Sequence, residues 1–241
     1  MSGNFEKGES FPSLMKVFVG YDSREDIAFK TCKQSILDAS KYPNSVEVIP
    51  LKIDDLRKSG IYEREEDKLG STEFTFTRFL IPELTNFKGW ALFMDCDMIL
   101  TTDIKELFDQ ADDKYAVMCV HHDYKVKEEF KMDGQKQTIY PRKNWSSVML
   151  FNCEHPSNKA LTQDLVNNPE INGAYLHRFS WLKDEEIGEL DHTWNYLVGV
   201  YDDIEKPKLI HYTEGGPWFE NYRNCEFHEL WKKELKSMME V

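Results

Sequence analysis

Long apolar runs are missing from this chain. Nowhere do about 18 consecutive apolar residues occur, so no membrane-spanning helix is predicted, and the polar residues 1–10 lack the apolar centre of a signal peptide. Cysteine is sparse as well. Cys32, Cys96, Cys119, Cys153 and Cys225 are odd in number, widely spread and form no CxxC pair, which argues against a disulfide framework and for buried, reduced thiols in a cytoplasmic protein. Positive charge is the third deficit: 30 Lys and Arg stand against 43 Asp and Glu, a formal net charge of -13. With no basic stripe to offset phosphate repulsion, nucleic acid is not expected as the main partner, and an anionic ligand would need a local cation. Aromatic residues, by contrast, are plentiful (15 Phe, 11 Tyr, 6 Trp), and 241 residues suffice for one sizeable α/β core. Residues 1–14 read as a flexible N-terminal segment and 15–241 as one domain.

The chain is organised around residues 89–100, GWALFMDCDMIL. The apolar run 91–94 after a glycine suits a strand buried on both faces. Side chains two apart on a strand share a face, so Asp95 and Asp97 point the same way while Cys96 turns into the opposite packing layer. Two ionised carboxylates at the rim of a core repel each other, and a hard divalent cation would hold both. The alternative is that one aspartate caps a turn and the other is solvated.

Elsewhere, strands and helices alternate. Residues 15–20 (MKVFVG) read as a first strand, and Ala28, Cys32, Ile36 and Ala39 give a helix from Glu25 onward. Val46, Val48 and Ile49 make a second strand, followed by a surface loop or short helix over 54–70. Residues 71–84 are expected to form a capped helix bent or ended by Pro82, carrying Arg78 among apolar side chains, where it either serves a ligand or pairs with a nearby acid. Strands are expected at 115–120 and 146–153, helices at 155–168 and 191–198, a surface excursion at 124–141, and a last strand at 208–211. Repeated strand-helix units imply an open α/β sheet, whose ligands sit outside the carboxyl ends of the strands. Asp22, Asp95, Asp97, Asn152 and His211 all fall at such ends.

Two carboxylates and a late histidine suit Mn2+ or Mg2+. His211 opens the run HYTEGGPW, whose double glycine lets backbone N–H groups approach a phosphate closely. A diphosphate bridged by the cation and gripped by Arg78 makes a departing group, which is transfer chemistry from a nucleotide-activated donor.

These segments together resemble a family. KVFVGYDSREDIAFKTCKQSIL, STEFTFTRFLIPEL, ALFMDCDMIL, WSSVMLFN and HYTEGGPW, in that order, are similar to the GT-A fold nucleotide-sugar glycosyltransferases, most closely glycosyltransferase family eight, the galactosyltransferase and glycogenin group. The resemblance implies a single Rossmann-like GT-A domain with an open, mostly parallel mixed sheet flanked by helices. It implies that Asp95, Asp97 and His211 hold Mn2+, that Gly20, Tyr21 and Asp22 line the nucleoside pocket, that Arg78 reaches the nucleotide, and that Gly215 and Gly216 lie against the diphosphate. It further implies a UDP-sugar donor and a retaining transfer to an acceptor the sequence does not name. Two departures stand out: the family's lysine before the closing proline and tryptophan is here Gly216, and Asp191 occupies its glutamine position, beside the reacting sugar or simply capping a helix. The rivals are a sugar nucleotidylyltransferase, which would carry a basic glycine-rich loop after the first strand, a divalent-metal hydrolase with further His and Asp ligands, and a non-catalytic sugar-binding module.

Overall fold

The computed structural model describes residues 13–65, 72–123, 141–201 and 206–240. The flexible segment expected at 1–14 and the excursion at 124–141 lie almost wholly outside them, as does Ser71. In chain order the elements are β1 (Met15–Gly20), α1 (Asp26–Ala39), β2 (Val46–Leu51), α2 (Ile53–Lys58), α3 (Ile81–Leu84), β3 (Trp90–Met94), β4 (Met98–Leu100), α4 (Lys105–Phe108), β5 (Val117–Val120), β6 (Val148–Asn152), α5 (Gln163–Asn167), α6 (Gly173–His177), β7 (Ile187–Leu190), β8 (Tyr196–Leu197), β9 (Leu209–His211) and α7 (His228–Met239).

Six strands form the main sheet in the order β2-β1-β3-β6-β5-β7, and β4-β9-β8 form a second, smaller one. In the main sheet only β6 runs against the rest. This is the open, mostly parallel mixed sheet that was expected. Its central strands are apolar without alternation because both faces are covered: every residue of β5 and β6 is buried, as is β3 beyond Trp90. Helix α1 buries Ala28, Cys32 and Ile36, one stripe at helical spacing, and packs against β1, β4 and α7.

Several expected helices are shorter or broken. Over 72–84 the chain turns, makes a 3-10 helix (Thr77–Leu80) and only then one α turn, α3. Thr75 Oγ1 donates to the Thr72 carbonyl at 2.8 Å, the local side-chain bonding that competes with a helix start. Pro82 begins α3 and does not end it, since a first-turn position has no use for its missing N–H. Over 155–168 a 3-10 helix (Pro156–Ala160) precedes α5, because buried Asn158 spends its amide on the Ala116 and Asn152 carbonyls at 2.7 and 2.8 Å. Residues 191–198 are a 3-10 helix (His192–Asn195) running into β8, which pairs with β9. β7 was not expected. Its Gly188 lies under Tyr115, where a Cβ would come within 2.6 Å of the ring.

Because β6 is reversed, Asn152 faces Trp90 at the amino end of β3. It is therefore on the edge opposite the aspartates, and it does not join them. What β6 brings to the carboxyl edge is its beginning, Ser146 and Ser147.

Candidate active site

The chain leaves the main sheet at Met94 and enters the small one at Met98, so Asp95, Cys96 and Asp97 lie in the bend between two strands, one step beyond the strand expected to carry them. Backbone bonds fix both ends of the bend: Asp95 N donates to the Ser147 carbonyl at 3.0 Å, and the Asp97 carbonyl accepts from Tyr212 N at 2.9 Å. His211, on β9, pairs with Met98 across the small sheet. Ligand atoms of Asp95, Asp97 and His211 consequently lie within 4.8 Å of one another, the one group of this kind among the described residues. His211 Nε2 stands 3.4 Å from Asp97 Oδ1. Asp95 Oδ1 and Asp97 Oδ1 are both buried and face the charged groups of Arg78 and His211.

The histidine tautomer follows from its neighbours. Asn195, wholly buried, donates through Nδ2 to Ser147 Oγ at 2.8 Å, so its Oδ1 is an acceptor, and His211 Nδ1 lies 2.9 Å from it. Nδ1 therefore carries a proton, and Nε2, once it has lost its own, offers a lone pair toward the aspartates. A metal-binding histidine anchored through its other nitrogen has this arrangement, and two carboxylates with buried oxygens beside it fit a divalent cation. Replacing Asn195 by Leu is expected to weaken Mn2+ binding about 10- to 100-fold, read by calorimetry, while far-ultraviolet circular dichroism stays unchanged.

Charges complete the picture. Burial pushes the Asp95 carboxyl up to about 6, against the nearby Arg78 charge that pulls it down. Burial also works against ionised Asp97, but the charge and hydrogen bond of His211 more than offset it and hold Asp97 below the ordinary range. Burial disfavours the charged imidazole too, yet the two aspartates raise His211 above its usual value. A cation must displace that proton. Below the raised His211 value, Mn2+ affinity should therefore climb about tenfold per pH unit, more steeply where Asp95 is protonated as well, and level off above it; a flat profile would detach His211 from the cation.

Sequence comparison decides what this arrangement belongs to: the sequence model of glycosyl transferase family 8 matches residues 21–222, which span the bend and His211. The chain belongs to glycosyl transferase family 8. It is 53% identical to Protein CDI of Arabidopsis thaliana over 234 residues, 95% of this chain and 89% of that protein. Its fold is similar to the glycosyltransferase GlyE of Streptococcus pneumoniae TIGR4 (TM-score 0.62, 15% identity, 95% of this chain and 63% of that one). It also resembles the bifunctional WbbM (0.63, 16%, 94% and 50%) and an active-site mutant of LgtC (0.58, 12%, 92% and 96%). The chain thus spans under two thirds of GlyE and half of WbbM.

In this glycosyltransferase the remaining expected residues divide by what already occupies them. Arg78 is buried; its Nη1 donates to the Ser146 carbonyl at 2.8 Å and lies 2.9 Å from Asp95 Oδ1, while the guanidinium rests over the Phe74 and Phe93 rings. It holds Asp95 in place. Asp22 ends β1 and is 1% exposed, its oxygens taking Arg24 Nε (2.9 Å), Arg24 Nη2 (2.6 Å) and the Arg24 and Glu73 amides. Gly20 is backed by the Phe74 ring, which a Cβ would meet at 2.4 Å. Tyr21 stays half-buried, with its hydroxyl on Asp26 and Lys52 Nζ 4.7 Å above its ring.

The closing turn packs a tryptophan ring onto the glycine at the lysine position. Gly215, at φ 135, donates its N–H to the Tyr212 carbonyl, and Gly216 lies under Trp218, whose ring a Cβ would meet at 1.9 Å. No side chain fits there. Asp191, exposed just past the end of β7, caps its 3-10 helix by accepting from Thr193 N at 3.0 Å. By register this is the same sheet edge as Asp95.

Two participants carry no motif. Asn195 reads as the interior of an expected helix; the available signal was an amide between two aromatic residues, Trp194 and Tyr196. Glu25 reads as a helix start, but burial, followed by the Asp97 charge, pushes it up to about 7, and the Cys96 thiol donates to its Oε2 at 3.8 Å.

Proposed function

We propose that this glycosyltransferase moves a sugar from a UDP-sugar to an acceptor hydroxyl with retention of configuration, using Mn2+ (or Mg2+) held by Asp95, Asp97 and His211. The reading is carried by one observation, the Asn195-anchored His211 gathered with two carboxylates, ligand atoms of all three lying within 4.8 Å of one another. When bound there, the cation supplies charge stabilisation to the departing diphosphate. The protein's own residues do the positioning. Arg78 keeps Asp95 ionised and aimed, Asn195 fixes the His211 ring, and the Asp22 hub ties the end of β1 to the turn at Glu73, shaping the wall on which the nucleoside would rest.

Asp95, Asp97, His211 and Arg78 include no nucleophile paired with a base, which agrees with a front-face transfer that relies on position and electrostatics. The absence of a basic glycine-rich loop after β1 speaks against a nucleotidylyltransferase. Action in the reducing cytoplasm is supported by five unpaired cysteines. No helix among the described residues is long and apolar enough to cross a membrane.

A thermal-shift panel of nucleotide sugars, each with and without Mn2+, tests this. A ligand at a hundred times its dissociation constant adds about 2.7 kcal/mol, which at about 2–4 °C per kcal/mol for a chain of this size is a rise of roughly 5–10 °C. The rise is expected with a UDP-sugar in Mn2+ alone. An equal rise without metal would overturn the cation assignment, and a rise with another base would overturn the donor.

A further inference from the structure

The two serines that precede β6 divide the site between them. Ser147 takes the Asp95 N–H on its carbonyl and the Asn195 amide on its hydroxyl, and Asn195 in turn anchors His211. Ser146 takes Arg78 Nη1 on its carbonyl, while its hydroxyl lies 2.6 Å from Nδ1 of His177, the last residue of α6.

Chemistry sets the direction of that last bond. Burial, followed by the Arg78 charge, pushes the His177 imidazole down to about 3, so the ring is neutral at physiological pH and carries one N–H. The Thr75 backbone, a contact that draws a proton to the ring, takes it. Nδ1 is then an acceptor, and the Ser146 hydroxyl donates to it.

Ser146 needs such a tie. Its 3-10 helix (Trp145–Ser147) is a single turn entered through Asn144 in the left-handed region, at φ 63, and closed locally by Ser147 Oγ on the Asn144 carbonyl at 2.6 Å. For Ser146 the side-chain anchor is α6. Fixing its hydroxyl steadies the peptide whose carbonyl receives Arg78 Nη1, and the same Nη1 lies 2.9 Å from Asp95 Oδ1. Phe79, next to Arg78 in the chain, also meets the His177 ring edge-on, with centroids 5.1 Å apart. A serine against a histidine has the parts of an activated nucleophile too. A nucleophile must reach its substrate, however, and Ser146 is 5% exposed.

We propose that His177 is a positioning residue for the cation site: through the Ser146 hydroxyl it sets the carbonyl that orients Arg78, and through Arg78 it sets Asp95. Its effect on the cation rests on the reading of Asp95, Asp97 and His211 given above. Its effect on Arg78 does not.

The test uses Ser146→Ala, which removes only the hydroxyl, His177→Leu, which removes the acceptor, and His177→Asn, whose Oδ1 can stand where Nδ1 stood. Mn2+ affinity is read by calorimetry, and the Arg78 guanidinium nitrogens by heteronuclear NMR of the metal-free protein, assigned by their loss in Arg78→Lys. In wild type the two Nη signals should be resolved, because the group is held. In Ser146→Ala and His177→Leu they should merge as it rotates, and Mn2+ should bind about tenfold more weakly, the lower end of the effect of a group that orients a metal ligand. His177→Asn should restore both. The double variant should be no weaker than the worse single one, since both changes act on one path. Variants that merely unfold at lower urea, with both readouts at wild-type values, make His177 a packing residue and overturn the proposal. Loss in His177→Leu without loss in Ser146→Ala breaks the relay and overturns it too. If wild type binds no Mn2+ while the guanidinium responds as expected, the orientation of Arg78 by His177 stands and the cation reading falls.

Discussion

Asp97→Asn is expected to abolish sugar transfer while the protein stays folded. Asp97 meets His211 at 3.4 Å through its Oδ1, so its carboxylate serves the cluster and not the packing around it. Asparagine keeps the shape and removes the charge. A cation contributing several kcal/mol to departure of the diphosphate, at 1.36 kcal/mol per tenfold, makes the loss on the order of a thousandfold. Turnover across a Mn2+ titration, with circular dichroism beside it, measures both halves of the claim. Near-normal, metal-independent turnover in a folded variant would mean that Asp97 holds no cation. Asp95→Asn is a poorer probe, because it also strands the buried Arg78 charge.

That dependence sets the second expectation. Arg78→Ala should cost about 3–5 kcal/mol of stability, the usual penalty for removing one partner of a buried ion pair. The pair is well shielded, with side chains 7% and 16% exposed at a separation of 2.9 Å. The loss has a specific signature. Without the guanidinium, only the weaker pull of His211 opposes the burial that already pushes Asp95 up to about 6, so Asp95 would take a proton more readily and Mn2+ affinity would fall with stability. Urea denaturation and calorimetry should therefore move together. A variant of normal stability that had lost only donor affinity would show instead that Arg78 grips the phosphates directly.

Which parts were legible in the sequence follows from their physics. β1 and β3 announce themselves because a strand covered on both faces must be an unbroken apolar run, and the aspartate pair is visible because charge at the end of such a run is costly. Arg78 was visible as an anomaly, and the structure makes it an ion-pair partner. The 3-10 stretches at Thr77–Leu80, Pro156–Ala160 and His192–Asn195 were read as longer helices, because one turn leaves too few residues to show a period. The direction of β6 is not written in VMLFN at all; a buried strand reads the same either way, which is why Asn152 was placed at the wrong edge. Asn195 and Glu25 act through partners that only the tertiary fold supplies. Helix α7, by contrast, has a readable stripe, Trp231 and Leu235, that a motif-led reading ending at Trp218 passes over.

The bend from Met94 to Met98 also bears on how the molecule comes apart. Asp95 and Asp97 both ride on the three-residue link between the large sheet and the small one that carries His211, and the small sheet packs one face (Met98, Leu100, Leu209) into the main core and the other (Ile99, Tyr196, Ile210) against Trp231 of α7. A cation coordinated by all three would act as a rivet across a seam. With it, β4, β8, β9 and α7 would open only when the whole molecule does. Without it, only that shared packing and the contacts of α1 with β4 and α7 would hold the smaller body to the rest, so the element that serves the chemistry would also bear on whether unfolding is one event or two.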